Sequence, residues 1–181
     1  MPEFVKVIVV LFVVCGLAAG SLAVVNTVTK EPIAKWEKTQ RDVALREVFA
    51  GADEFKELTP NRLWEVRCKG ELSGYVVLTD ARGYSGPITV MFGVASSDGA
   101  VTGLKVLNHT ETPGLGAKIT KTGFRDQFKN KRLDQIQLRK DNPGSGEIDA
   151  VTGATISSRA VTRAVHSELD TLLIEKEGKR Q

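Results

Sequence analysis

Between Val7 and Thr29 the chain carries no charged side chain, and Val7 to Val25 is apolar at almost every position. A helix of that length spans roughly 30–35 Å, enough to cross a hydrocarbon core of about 30 Å. Lys6 ahead of the run and Ala18-Ala19-Gly20 within it would also suit a cleaved secretory leader. Leader cores are shorter, at about 7–15 residues, so a retained transmembrane anchor is the expectation. Cys15 is apolar filler on either reading. Past the run the period becomes that of an amphipathic helix. Pro32 suits a first helical position, and Ile33, Trp36, Val43, Ala44 and Val48 recur at helical spacing to about Ala50.

Thr59-Pro60-Asn61 breaks that pattern, and short strand-like runs follow. Leu63–Cys68 and Gly74–Thr79 flank a turn at Lys69-Gly70, while Ile88–Ala95 and Ala100–Leu107 flank Asp98-Gly99, the strongest hairpin signal in the chain. A short amphipathic helix is expected over Phe124–Lys131, a strand near Ile136–Arg139, and a loop at Asn142-Pro143-Gly144-Ser145-Gly146. From about Ser157 to Ile174, Val161, Ala164, Val165, Leu169, Leu172 and Leu173 share one helical face suited to docking on a sheet. Hairpins mixed with helices, without βαβ alternation, predict an α+β fold. The expected organisation is an N-terminal tail and transmembrane anchor at 1–29, a connecting helix at 30–58, one domain of antiparallel hairpins with packed helices at 59–174, and a polar tail at 175–181.

Composition narrows the function. Lys and Arg total 25 against 22 Asp and Glu, with the signs interspersed, so no basic face for nucleic acid is expected. Cys15 and Cys68 form no CxxC pair, and His109 and His166 are far apart, which argues against a disulfide scaffold and a metal centre. Lys30, Lys35, Lys38 and Arg41 follow the anchor where only Lys6 precedes it, so a positive-inside count alone would keep the domain in the cytoplasm. That count weakens for long translocated domains.

The chemistry concentrates in Asp149-Ala150-Val151-Thr152-Gly153-Ala154-Thr155-Ile156-Ser157-Ser158, which leads into the last helix. Hydroxyl clusters at helix starts are usually caps. Free N–H groups and the helix dipole also make such a place a phosphate site, and Arg159 and Arg163 follow with no acid before Glu168. No Gly-Lys-Ser/Thr follows the glycines, which excludes a P-loop. Gly153-Ala154-Thr155-Ile156-Ser157 lacks the second glycine of a nucleophile elbow.

The run DAVTGATISS matches the covalent-flavinylation pattern Asp-x-x-Ser/Thr-Gly-Ala-Ser/Thr and resembles the FMN-binding domains of the RnfG and NqrC family. About 40 residues upstream, ETPGLG at Glu111–Gly116 is similar to that family's flavin-contacting loop, and Gly83-Tyr84-Ser85-Gly86-Pro87-Ile88 to the segment before its central strands. The short length resembles RnfG more than the longer NqrC. The resemblance implies FMN joined by a flavin transferase, using FAD and magnesium, through a phosphoester to Thr155. Thr152, Gly153 and Ala154 would position the phosphate. Glu111, Thr112, Leu115 and Gly116 would shape the ring pocket, with Glu111 and Thr112 either bonding the flavin or holding the loop.

It further implies membership of an Rnf-type complex in the cytoplasmic (inner) membrane, single-pass, with the domain on the extracytoplasmic side. Such a complex moves electrons between ferredoxin and NAD and couples the flow to sodium or proton translocation. The partners would be its other integral-membrane and electron-transfer subunits. No residue needs to act as general acid or base, because the flavin carries the redox chemistry. A stand-alone FMN-bearing protein of extracellular electron transfer shares every motif, and a cofactor-free anchored adaptor is the rival from another class.

Overall fold

The computed structural model describes residues 2–178. Helix α1, Glu3–Val48, is continuous and contains a stretch long and apolar enough to cross a membrane. Pro32, expected to open a second helix, lies inside α1. A proline removes one helical hydrogen bond, and here the helix continues on both sides of it. The chain divides into two compact units, Met1–Arg41 and Asp42–Gln181.

The connecting helix, expected over 30–58 with helical spacing to about Ala50, ends at Val48. Gly51, with φ +81°, follows Val48 and Phe49 and takes the left-handed conformation that ends helices. Residues Glu54–Thr59 then form strand β1. Four more strands complete an antiparallel sheet in chain order: β2 Leu63–Cys68, β3 Glu71–Arg82, β4 Pro87–Ala95 and β5 Val101–His109. At the β2–β3 turn Lys69 and Gly70 both have positive φ, of 51° and 83°, as a two-residue hairpin of matching twist requires. At the next predicted hairpin Gly99 has φ +70°, and Asp98 Oδ1 accepts the Ala100 N–H at 3.2 Å.

Alternation along β4, the strand next to the β5 edge, assigns the two faces of the sheet. Ile88, Val90, Phe92 and Val94 pack with Val161, Val165, Leu169 and Leu172 of helix α3, Thr155–Gly178. Met91 joins Trp64, Val66 and Val76 on the other face, covered by Ala44, Leu45 and Val48 from the last turns of α1 and by Phe49. The sheet is therefore buried on both sides, which is why β4 reads as a nearly continuous apolar run. This is the α+β architecture expected.

Three expectations are corrected. The helix predicted over Phe124–Lys131 is a single turn α2, Thr122–Arg125, followed by a 3-10 turn at Asp126–Phe128. Phe124 and Phe128 still meet edge to face, with centroids 5.4 Å apart, so the apolar spacing was packing within a compact turn. Ile136 and Leu138 are buried, yet no sheet strand forms there; Leu138 makes a lone parallel bridge to Ile148. Helix α3 starts two residues before Ser157 and runs on to Gly178 instead of ending at Ile174. Of the tail expected at 175–181, residues 179–181 lie outside the described residues.

Candidate functional site

Seven of the eight residues singled out from the sequence line one cleft of about 340 Å³. Glu111, Thr112, Leu115 and Gly116 come from the loop after β5, and Gly153, Ala154 and Thr155 from the turn that opens α3. Thr152 is exposed in that turn and does not line the cleft. Gly153 adopts φ +80°, and a Cβ there would stand 3.1 Å from Leu115 Cδ2. A residue without a side chain lets the two segments approach.

The first helical hydrogen bond runs from the Ser158 N–H to the Ala154 carbonyl at 3.0 Å. Ala154 is thus the cap residue, and the N–H groups of Thr155, Ile156 and Ser157 lie in the first turn without acceptors inside the helix. No hydroxyl caps this end from the Ala154 position. Ser158 is fully buried and bonds locally, accepting the Val151 N–H at 3.0 Å and donating to the Ala154 carbonyl at 2.9 Å. Ser157 is buried and donates to Glu111 Oε2 at 2.6 Å. Thr155 is half-buried at the cleft wall.

Glu111 is 4% exposed. Its Oε1 accepts the Ser85 N–H at 3.0 Å and its Oε2 the Ser157 hydroxyl, while its own N–H donates to His109 Nδ1 at 3.2 Å. Both carboxylate oxygens are engaged within the protein, the loop-holding arrangement. Thr112 is exposed; its carbonyl accepts the N–H groups of Leu115 and Ala117 at 3.3 and 3.2 Å.

The arginines expected to favour an anion lie elsewhere. Arg159 makes two 2.5 Å hydrogen bonds to the Asp141 carboxylate. That pairing holds the Asp141 pKa below, and the Arg159 pKa above, their ordinary values. Neither Arg159 nor Arg163 lines the cleft, so the first-turn amides and the helix dipole are its anion-favouring features.

Three further residues, Tyr84, Ile156 and Ser157, complete the wall. Ile156 lies between two hydroxyl residues and is 51% exposed; Tyr84 is 71% exposed. Ser157 pairs with a carboxylate 46 residues away, and no local signal marks it. Apolar groups at the rim with unpaired amides at one end suit a ligand carrying a flat ring and a phosphate, which is the chemistry of FMN.

The FMN-binding domain family matches residues 83–170 of the chain. The G subunit of an ion-translocating oxidoreductase complex from Methanosarcina acetivorans is 35% identical over 179 residues, covering 93% of this chain and 94% of the relative. The G subunit of a proton-translocating ferredoxin:NAD(+) oxidoreductase complex from Clostridium ljungdahlii is 34% identical, covering 93% and 91%. Among solved structures, the C subunit of a Na(+)-translocating NADH-quinone reductase from Parabacteroides distasonis superposes with a TM-score of 0.51 at 26% identity, over 59% of this chain and 58% of that one.

Proposed function

The chain belongs to the family of G subunits of ion-translocating oxidoreductase complexes, and we propose that it serves such a complex as a membrane-anchored electron carrier holding one FMN covalently through Thr155. The observation that carries the reading is the placement of Thr155. It is the hydroxyl residue of the motif that lines the cleft without a buried partner for its side chain, beside first-turn amides that favour a phosphate.

In the attachment step Thr155 Oγ forms a bond to the FMN-side phosphorus of FAD. The pyrophosphate P–O bond breaks, AMP leaves with the electron pair, and the hydroxyl proton passes to a base of the flavin transferase. The resulting diester keeps about one negative charge, stabilised by roughly 0.3–1 kcal/mol at a helix N-terminus. Leu115, Ile156 and Tyr84, each exposed at the cleft, offer apolar surface to the ring. Bound FMN supplies the electron chemistry, and the protein holds and orients it. A covalent tether replaces affinity with a high effective concentration, which suits a carrier outside the cytoplasm, where free FMN is scarce.

The relatives' complexes are named for ferredoxin and NAD(+) and for ion translocation, and we assign this chain to electron flow of that kind, coupled to sodium or protons. Its partners are the other subunits of the complex and, during maturation, the transferase. The anchor is the apolar part of α1, and the domain lies on the extracytoplasmic side. The test is flavin fluorescence of the denatured band after electrophoresis, from protein coexpressed with a flavin transferase. Fluorescence in the wild type that is lost in Thr155→Ala supports the reading, whereas a fluorescent Thr155→Ala band places the attachment elsewhere.

A further inference from the structure

We propose, resting on the assignment of Thr155 as the attachment residue, that Ser157 and Glu111 form a positioning clamp that holds the 110–116 loop against the start of α3 and so presents Thr155 for modification. A buried carboxylate is costly unless its oxygens are satisfied, and Glu111 meets this by joining three separate segments. Its partners, Ser85 N–H and Ser157 O–H, stand 26 and 46 residues away in sequence. The space around it is shaped to match. A Cβ on Gly116 would stand 2.6 Å from Glu111 Oε2 and 2.8 Å from its Cβ, and a Cβ on Gly83 would fall on Oε1.

The loop's other fastenings are backbone bonds from the Ala117 N–H to the Thr112 carbonyl at 3.2 Å and from the Lys118 N–H to the Leu115 carbonyl at 3.0 Å, and a 3.5 Å contact between the Ser85 and Thr112 hydroxyls. Thr112 through Leu115 are all exposed, and the internal Leu115 N–H bond to the Thr112 carbonyl is long at 3.3 Å. Ser157 lies two residues beyond Thr155, about 200° around the helix at 3.6 residues per turn. Anchoring its hydroxyl therefore fixes the rotation of the first turn and the direction of the Thr155 side chain. The same bond commits the Ser157 proton inward and removes that hydroxyl as a competing acceptor. The hydrogen bond is charge-assisted and short.

Ser157 is thus a positioning residue, and its test separates position from stability. Full-length apo-protein in detergent is incubated with a flavin transferase, FAD and magnesium, and initial rates of FMN incorporation are read by mass. Ser157→Ala should lower kcat about tenfold with little change in KM for the carrier, the mark of misplacement without lost binding. In the apo-protein it should also speed deuterium uptake across residues 110–117. Ser157→Thr, which keeps the hydroxyl, should restore kcat to within about twofold. Wild-type kcat in Ser157→Ala, or Ser157→Thr as slow as Ser157→Ala while melting cooperatively, overturns the clamp. Should Ser157→Ala not melt cooperatively, Ser157→Cys, of similar size but a weak donor, takes its place with the same readouts. A wild-type chain left unmodified by a transferase active on a control removes the attachment assignment and the clamp together. Wild-type uptake with unaffected variants removes the clamp alone.

Discussion

Thr152, Thr155, Ser157 and Ser158 crowd into seven residues, and packing gives each hydroxyl a different environment. Ser158 closes the turn before α3, Ser157 is drawn to Glu111, Thr152 is exposed outside the cleft, and Thr155 lines it. Under the proposed function, Thr155→Ala should lose all covalent flavin without transferring it to Ser157. Thr155 is the first helical residue and Ala154 the cap, so this substitution should cost less than about 1 kcal/mol, measurable as a small shift in Tm. Thr155→Ser should keep the flavin, since either hydroxyl fits the motif. The cleft residues were legible in the sequence where their chemistry is contiguous, as in Glu111–Gly116 and Gly153–Thr155, while Thr152, read with them, lies outside the cleft. The Glu111–Ser157 pair was not, because the fold creates it from segments 46 residues apart.

Among the elements, the last turns of α1 are more than a connection. Glu47 bonds Lys105 of β5 and, at 3.0 Å, Arg125 of α2, tying helix, sheet edge and the segment after the cleft loop. Burial acts to raise the Glu47 pKa, but the bonds to Lys105 and Arg125 outweigh it and hold the group below its ordinary value of 4.5. A depressed carboxylate pKa contributes stability that is present above the unfolded value and lost as pH falls through the folded one. Glu47→Gln should therefore flatten the decline in stability below pH 4.5, as read by denaturant melts on both proteins, and an unchanged pH dependence would remove the triad from the account. In the core, Phe92 is fully buried at the centre of β4, and Phe92→Ala should cost about 3–5 kcal/mol in the same melts. The hairpins were legible because Lys69-Gly70 and Asp98-Gly99 carry their turn geometry locally. Strand β1, EFKELT, was not, because as an edge strand it buries only part of Phe55 and is otherwise polar or exposed. The 122–128 and 136–138 segments misled because buried apolar residues at helical or alternating spacing were held by irregular turns.

At the scale of the molecule, the unit from Asp42 onward contains both hydrophobic clusters. A chain beginning at Asp42 should fold without detergent. One beginning at Ala50 loses Leu45, Val48 and Phe49 from over Trp64 and Met91, at about 1.5–3 kcal/mol each, and should melt far lower or fail to fold. Protease added to intact cells should cleave the domain, placing it outside the cytoplasm against the local charge count; protection until lysis would contradict that placement. The central claim is that this chain carries electrons on a flavin it cannot release. Intact mass after denaturation, on full-length protein coexpressed with a flavin transferase, tests it most directly. The expected result is an increase equal to FMN minus water, mapped by fragmentation to the peptide containing Thr155. An unmodified mass, with the transferase active on a control protein, would contradict it.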